Sequence, residues 1–139
     1  MGERPVTLVH GDLWLDNVRF ELPDASLVIF DWQLVRKALA ANDVAWFLAR
    51  SLPISMRRAN EDQLVRGYHR ALQSAGIRDY PLSNLRTDMK LGFLTAFLDV
   101  IGVAANANSH GGRRGQLMKA WAERSIATLE DHDVWDRLG

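Results

Sequence analysis

The stretch His10-Gly11-Asp12-Leu13-Trp14-Leu15-Asp16-Asn17, followed by Ile29-Phe30-Asp31, is the most informative part of this chain. Asp12 and Asn17 are five residues apart, and Asp31 comes fourteen residues later at the end of an apolar run. Carboxylate and amide oxygens are the ligands that Mg²⁺ prefers in proteins. The spacing therefore predicts a polar loop over 10–17 that works together with Asp31.

Transfer of a phosphoryl group requires positioned groups, neutralisation of phosphate charge and a base that orients the attacking hydroxyl. Protein kinases place a base Asp, a metal-binding Asn five residues later and a further metal-binding Asp in this order. On that pattern Asp12 is the candidate catalytic base, and Asn17 and Asp31 are candidate Mg²⁺ ligands. Kinase loops usually carry Arg after the His, whereas this chain has Gly11.

The first part of the chain is predicted to be β structure and loop. Residues 6–9, 18–22 and 27–30 are β-branched, apolar or alternating, which is typical of short strands. Residues 23–26 have turn chemistry, so the last two strands should form a hairpin. We expect this β element to hold loop 10–17 and Asp31 at one end.

After Gln33 the pattern predicts helices throughout, over 39–51, 57–75, 84–106 and 116–131. The second helix should bury a stripe with Leu64 and Tyr68 and leave Arg57 in solvent, and Ser83 should cap the third. Residues 109–115 are predicted to be a flexible basic loop, and the acidic tail 130–133 a frayed helix end. His69, His110 and His132 lack metal-ligand spacing, so solvent-facing or packing roles are expected.

The predicted architecture is a single mostly helical α+β domain over 1–139. Residues 1–33 hold the catalytic loop and β element, and residues 34–139 form a helical subdomain. Seventeen basic and seventeen acidic residues cancel, which does not favour nucleic acid or a membrane as a partner. The apolar stretches are too short for a membrane span. The lack of cysteine excludes disulfides and thiolate zinc sites and suits a cytoplasmic protein.

The His-Gly-Asp sequence resembles the aminoglycoside phosphotransferase and choline kinase-like superfamily. Three further segments are similar to its ecdysteroid kinase-like (CHK kinase-like) branch: 31–33, the Tyr68-His69 pair with Leu72, and the ending 121–131. The resemblance implies the C-terminal lobe of the protein kinase-like fold. It also implies an ATP-dependent kinase that uses Mg²⁺ and phosphorylates a hydroxyl of a small-molecule acceptor.

The resemblance also implies supporting roles around Asp12. His10 would brace the catalytic loop, and Asp43 would hold the loop in place by hydrogen bonds without taking part in catalysis. Trp14 stands where protein kinases usually carry a lysine that steadies the γ-phosphate. An aromatic ring cannot do this, so Trp14 is expected either to pack within the fold or to line the acceptor pocket.

The main departure from the family pattern lies before the loop. Complete members have an N-terminal lobe with a strand lysine and a loop over the nucleotide, but only nine residues precede His10. Lys37, Lys90 and Lys119 all fall later, in predicted helices. We therefore expect a lobe that is incomplete without an N-terminal partner lobe. The alternatives are a non-catalytic binding module, for example a homodimer, and a metal-dependent hydrolase, which the lack of clustered histidines disfavours.

Overall fold

A computed structural model describes residues 4–24, 26–105 and 112–135 of the chain. These residues form four short strands, four helices and two 3₁₀ turns, Leu15–Asn17 and Trp32–Leu34. The mostly helical α+β class is therefore confirmed. In chain order the elements are β1 (Val6–Val9), β2 (Val18–Glu21), β3 (Ser26–Ile29), β4 (Arg36–Leu39), α1 (Ala41–Ser51), α2 (Ile54–Ser74), α3 (Leu82–Ala105) and α4 (Gly112–Asp131).

The strands form two separate antiparallel pairs. β2 and β3 make the predicted hairpin, with Val18 opposite Ile29. β1 pairs with β4 so that Val9, just before loop 10–17, lies opposite Arg36. The expectation of helix from Gln33 onward was wrong here, and Lys37 lies in a strand. Residues 36–39 have little β propensity, so pairing with β1 overrides the local preference.

The core is built around α1, which is buried along most of its length. Ala41, Ala45, Leu48 and Ala49 are almost completely inaccessible and pack mainly against α3. Gly92 of α3 lies so close to Ala45 that a side chain there would collide with it. Small residues thus let two helices approach closely, and α1 becomes a rigid base for the loop before it. The predicted central buried helix is confirmed.

The prediction of which face of α2 is buried was wrong by about one residue around the helix. Arg57 is only 2% exposed, whereas Leu64 is 45% exposed. The buried face of α2 instead runs through Arg57 and Val65, with Tyr68 and Leu72 partly buried. A charged residue can be buried in this way when carboxylates compensate its charge.

The compensating carboxylates come from α2 itself and from the end of α4. Arg57 donates to Glu61 Oε2 at 2.5 Å and also pairs with Asp131. His132 Nε2 lies 2.6 Å from Glu61 Oε1, and Lys90 donates to the His132 carbonyl at 2.6 Å. The acidic tail is therefore tied to α2 and α3 rather than frayed as expected.

The structure also tests the predictions made for Ser83, the basic loop, His69 and a membrane span. Ser83 lies inside the first turn of α3 and is not its cap. Residues 112–115 of the predicted basic loop form the start of α4, while 109–111, including His110, lie outside the described residues. His69 packs, with Nε2 2.8 Å from the Tyr80 carbonyl oxygen. No helix in the described ranges has the length and apolar character needed to cross a bilayer.

The cluster around Arg57 predicts an acid-sensitive fold. Burial would raise the pKa of Glu61, but the hydrogen bonds and charges of His132 and Arg57 outweigh it and lower this pKa. Stability gained from Glu61 is therefore complete above its ordinary pKa of 4.5 and is lost as pH falls through the lowered value. We expect Glu61→Gln to reduce the free energy of unfolding at pH 7 by about 1.5–3 kcal/mol. Below about pH 4.5, the free energy of unfolding should fall less steeply with pH in this variant than in the wild type. Urea unfolding between pH 2.5 and 7 measures both effects.

Glu21→Gln is the matched control, because Glu21 is exposed at the end of β2 and makes no ion pair in the described part of the chain. Identical pH profiles for wild type and Glu61→Gln would contradict the prediction.

Candidate active site

Loop 10–17 begins with a backbone conformation that only glycine adopts easily. Gly11 has φ of +84°, and a Cβ there would collide with the Leu34 carbonyl oxygen and with Arg36 Nη1. Arg36 Nη1 also donates to the Gly11 carbonyl at 3.2 Å. Gly11 is thus required both for its backbone angle and for the close approach of the segment after Asp31.

Asp43, in the first turn of α1, accepts two hydrogen bonds from the start of the loop. His10 N–H donates to Oδ2 at 2.6 Å, and Gly11 N–H donates to Oδ1 at 3.0 Å. One carboxylate therefore holds two consecutive backbone donors, and these are the hydrogen bonds expected of Asp43. Its position at a helix N-terminus also suits a negative charge.

His10 is buried and connects the loop with the strand that leads to Asp31. Its Nδ1 accepts from Asp12 N–H at 3.2 Å, so Nε2 carries the proton and donates to the Phe30 carbonyl at 2.8 Å. The ring also packs on Trp32, with 4.8 Å between centroids. These contacts join the loop to the residues on either side of Asp31.

Asn17 is tied to the backbone of Asp12. Its Nδ2 donates to the Asp12 carbonyl oxygen at 2.9 Å, and its own carbonyl accepts from Phe30 N–H at 3.1 Å. The Asn17 side chain is buried, and its Oδ1 has no protein partner among the described residues. The amide is thus oriented by its nitrogen, and Oδ1 is the atom that a metal would contact.

Asp31 adopts an unusual backbone conformation, with φ of 65° and ψ of 57° in the left-handed region. Aspartate is one of the few residues that tolerates it, and such residues cluster at functional sites. Asp31 is exposed and precedes the 3₁₀ turn Trp32–Leu34, but its carboxylate makes no capping hydrogen bond. Its oxygens are therefore accessible.

The oxygen ligands of Asn17 and Asp31 fit Mg²⁺, which is usually held by one or two carboxylates together with water and phosphate. Within 4–24, 26–105 and 112–135, no group of three or more His, Asp or Glu side chains could hold a metal ion by itself. A cation here would depend on oxygens of a bound phosphate compound to complete its coordination.

Asp12 lies at the centre of these contacts in a mixed electrostatic environment. Burial raises the pKa of the Asp12 carboxyl; the charge of the Arg50 guanidinium lowers it, but Asp99 and Asp31 raise it further, and the net shift is upward. A carboxylate whose pKa is moved toward neutrality accepts a proton more readily. The environment of Asp12 is therefore suited to a general base.

Sequence reasoning missed the residues that reach the loop from the helices. Arg50 of α1 forms an ion pair with Asp12, its Nη1 lying 3.5 Å from Oδ1, and Nη2 lies 2.6 Å from Asp99 Oδ2 on α3. Ser51 Oγ accepts from Leu15 N–H at 3.2 Å. The available signal was Arg50 itself, an arginine in the last turn of an otherwise apolar helix.

The Trp14 carbonyl oxygen accepts from Asn17 N–H at 3.0 Å, but its side chain points away from His10, Asp12 and Asp31 toward α4. It is half-buried, and its ring meets Trp121 of α4 edge to face, with 4.8 Å between centroids. Of the two expectations, packing within the fold is the one that the contacts bear out. The neighbouring Asp16 is exposed, and its Oδ2 lies 3.2 Å from Arg113 Nη2.

The hydrogen bonds of Asp43 predict that the loop depends on its charge. Asp43→Asn replaces one of two acceptor oxygens by a donor, so we expect a loss of about 1.5–3 kcal/mol in the free energy of unfolding and faster amide exchange at His10 and Gly11. Chemical denaturation and hydrogen-exchange NMR measure these two effects. Asp16→Asn, in the same loop but exposed, should change stability by less than about 0.5 kcal/mol. Unchanged exchange at His10 and Gly11 in Asp43→Asn would contradict the prediction.

Comparison with known proteins agrees with the arrangement of the loop. Residues 2–78 match the Ecdysteroid kinase-like family, and this segment contains the whole of loop 10–17 together with Asp31, Asp43 and Arg50. No curated protein and no solved structure matches the chain. Since the match covers more than half of the 139 residues, the chain belongs to the ecdysteroid kinase-like family.

Proposed function

We propose that this chain is the catalytic C-terminal lobe of an ATP-dependent phosphotransferase that phosphorylates a hydroxyl of a small molecule. The observation that supports this most directly is the set of contacts from His10. One ring links the backbone of Asp12 to the strand before Asp31, while Asn17 is bonded to the same residue, Asp12. A base and two oxygen ligands are thereby held in one rigid frame, as phosphoryl transfer requires.

Each residue has a defined part in this proposal. Asp12 accepts a hydrogen bond from the acceptor hydroxyl and takes its proton as the hydroxyl oxygen bonds to the γ-phosphorus of ATP. The bond between that phosphorus and the β,γ-bridging oxygen breaks at the same time, and ADP leaves. Asn17 and Asp31 would hold Mg²⁺ through their oxygens. The metal, when bound with ATP, neutralises charge on the phosphates.

The cytoplasm, where ATP is abundant, is the compartment we propose. We propose a small-molecule alcohol as the acceptor. Nucleic acid and an anionic membrane are not proposed as partners, because a net charge of zero gives no general attraction for either.

We further propose that efficient turnover needs an N-terminal lobe to cover the nucleotide. No lysine of the described residues contacts Asp12, Asn17 or Asp31. Lys90, for example, donates to the His132 carbonyl at the far end of α4. The present lobe would then supply the base, the metal ligands and the acceptor side, while the other lobe would supply the contacts to the α- and β-phosphates.

Two substitutions separate the base from the metal ligands. Asp12→Asn keeps the shape of the side chain but removes the proton acceptor, so we expect a rate of phosphoryl transfer about 10²–10⁴-fold lower with Mg·ATP binding retained. Asp31→Asn should weaken binding of Mg·ATP itself. Calorimetry measures binding, and ADP release with a panel of small alcohols measures transfer, with and without an added N-terminal lobe.

Asp16→Asn is the control in this experiment, because Asp16 is an exposed carboxylate of the same loop. Full transfer activity in Asp12→Asn would disprove the assignment of the base. Mg·ATP binding that survives Asp31→Asn unchanged would disprove the metal site.

A second candidate function is supported by an apolar groove of about 450 Å³ beneath the hairpin. Phe20 and Leu27 of the hairpin and Leu64 of α2 line it, and Phe20 is 70% exposed. We propose a second copy of the chain as its occupant, since two copies with zero net charge do not repel each other and a two-fold axis would let each hairpin cover the partner's groove. The lobe would then act as a dimerising module.

Sedimentation velocity over a range of concentrations tests this candidate. Phe20→Ser should shift the equilibrium toward monomer, because it removes a large apolar side chain from the groove. Leu22→Ser is the matched control, since Leu22 is 89% exposed in the adjoining turn and does not line the groove. A wild-type chain that stays monomeric at all concentrations would rule the dimer out.

A further inference from the structure

We propose that Arg50 is a positioning residue for phosphoryl transfer, which fixes the carboxylate of Asp12 by joining it to Asp99 through one buried guanidinium. The inference rests on the proposed function of Asp12. It assigns to the helices α1 and α3 a direct part in setting the catalytic geometry, beyond their part in the core.

The first observation is the geometry of the guanidinium. Arg50 is 1% exposed. Its two terminal nitrogens point to different carboxylates, Nη1 to Asp12 Oδ1 at 3.5 Å and Nη2 to Asp99 Oδ2 at 2.6 Å. Nη2 also donates to the Ala96 carbonyl at 2.9 Å, one turn before Asp99 on α3. The short contacts of Arg50 are thus those of Nη2 with α3, and the contact with Asp12 is made by Nη1.

The second observation is that aromatic rings and a backbone contact restrict Arg50. Its guanidinium carbon lies 4.2 Å from the ring centroid of Trp46 and 5.1 Å from that of Trp121. Arg124 Nη1 donates to the Arg50 carbonyl at 2.6 Å. Because the side chain is stacked between rings and its backbone is held from α4, the guanidinium has little freedom to turn.

A third observation concerns the nitrogen of Arg50 that is left over. Arg50 Nε is buried and has no hydrogen-bond partner among the described residues. A buried donor without a partner is costly, and such groups call for a specific reason. The orientation that reaches both Asp12 and Asp99 is therefore kept although it leaves Nε unpaired.

Asp12 needs such a partner because the loop fixes only its backbone. Asp12 N–H donates to His10, and its carbonyl accepts from Asn17. In the part of the chain that the structure describes, Arg50 is the one residue that contacts the Asp12 carboxylate through a hydrogen bond or ion pair. The direction in which these oxygens face the acceptor thus depends on Arg50, and through it on Asp99.

The test compares two substitutions of Arg50 with a matched control. Arg50→Met removes the tether, and we expect kcat for transfer to a small alcohol to fall by about 10–100-fold. The KM for Mg·ATP should stay within about 2-fold of wild type, because Asn17 and Asp31 do not contact Arg50. Arg50→Lys keeps a charge and should recover part of the loss.

Arg57→Met is the control, since Arg57 is an equally buried arginine on α2 without contact to the loop. It should lower stability and leave kcat unchanged. If Arg50→Met unfolds, Asp99→Asn serves in its place, because Asp99 is half-buried and its loss should lower kcat while the fold is retained. Wild-type kcat in both Arg50→Met and Asp99→Asn, or an equal fall in Arg57→Met, would overturn the proposal.

A spectroscopic readout makes the inference independent of turnover. In ¹H–¹⁵N spectra of the Arg side chains, the Nη2 protons of Arg50, which are hydrogen-bonded to Asp99 and to the Ala96 carbonyl, should exchange slowly. Asp12→Asn and Asp99→Asn should each shift one of the two Nη signals. Rapidly averaged Arg50 signals, or signals unchanged in Asp12→Asn, would overturn the proposal that Arg50 holds the Asp12 carboxylate. If the wild-type chain transfers no phosphate to any alcohol of the panel even with an added N-terminal lobe, the proposed function fails, and the Nη signals alone decide whether Arg50 holds Asp12.

Discussion

The structure around the loop depends on one carboxylate that holds two backbone N–H groups. Asp43 belongs to α1, the most buried helix of the fold, and its oxygens accept from His10 and Gly11 where β1 ends. A charged acceptor is needed because both donors are removed from water at this point, and buried donors must be paired. The loop is therefore attached to the most rigid part of the molecule. Its geometry follows from the packing of α1 against α3.

Two buried arginines show how the fold handles charge in different ways. Arg57 is surrounded by Glu61 and Asp131, and both of its terminal nitrogens have carboxylate partners. Arg50 shares its charge between Asp99 and the more distant Asp12, and its Nε stays unpaired. The first arrangement satisfies the guanidinium and joins α2 to α4. The second arrangement leaves Nε of Arg50 without a hydrogen-bond partner, and it lies beside the loop that carries Asp12, the proposed base.

Local sequence patterns predicted the features that are determined locally. The hairpin followed from alternation around a turn, and the burial of α1 followed from its apolar composition. β4 could not be found in this way, because Arg36 and Lys37 gain their strand conformation from pairing with β1. The buried face of α2 was missed for a similar reason. Burying Arg57 is favourable only because Asp131, seventy-four residues away, comes beside it.

The candidate site illustrates the same division between near and distant residues. The spacing of Asp12, Asn17 and Asp31 was visible because the chain itself places them on one loop and one hairpin. Arg50 was not visible as part of the site, since its contacts join three elements that are far apart in sequence. Asp43 of α1 accepts from the backbone of His10 and Gly11 and so sets the path of the loop, while Arg50 contacts the Asp12 carboxylate. The spacing of the candidate site residues can therefore be read from the chain itself, but the path of the loop and the orientation of the Asp12 carboxylate depend on how α1 and α3 pack beneath it.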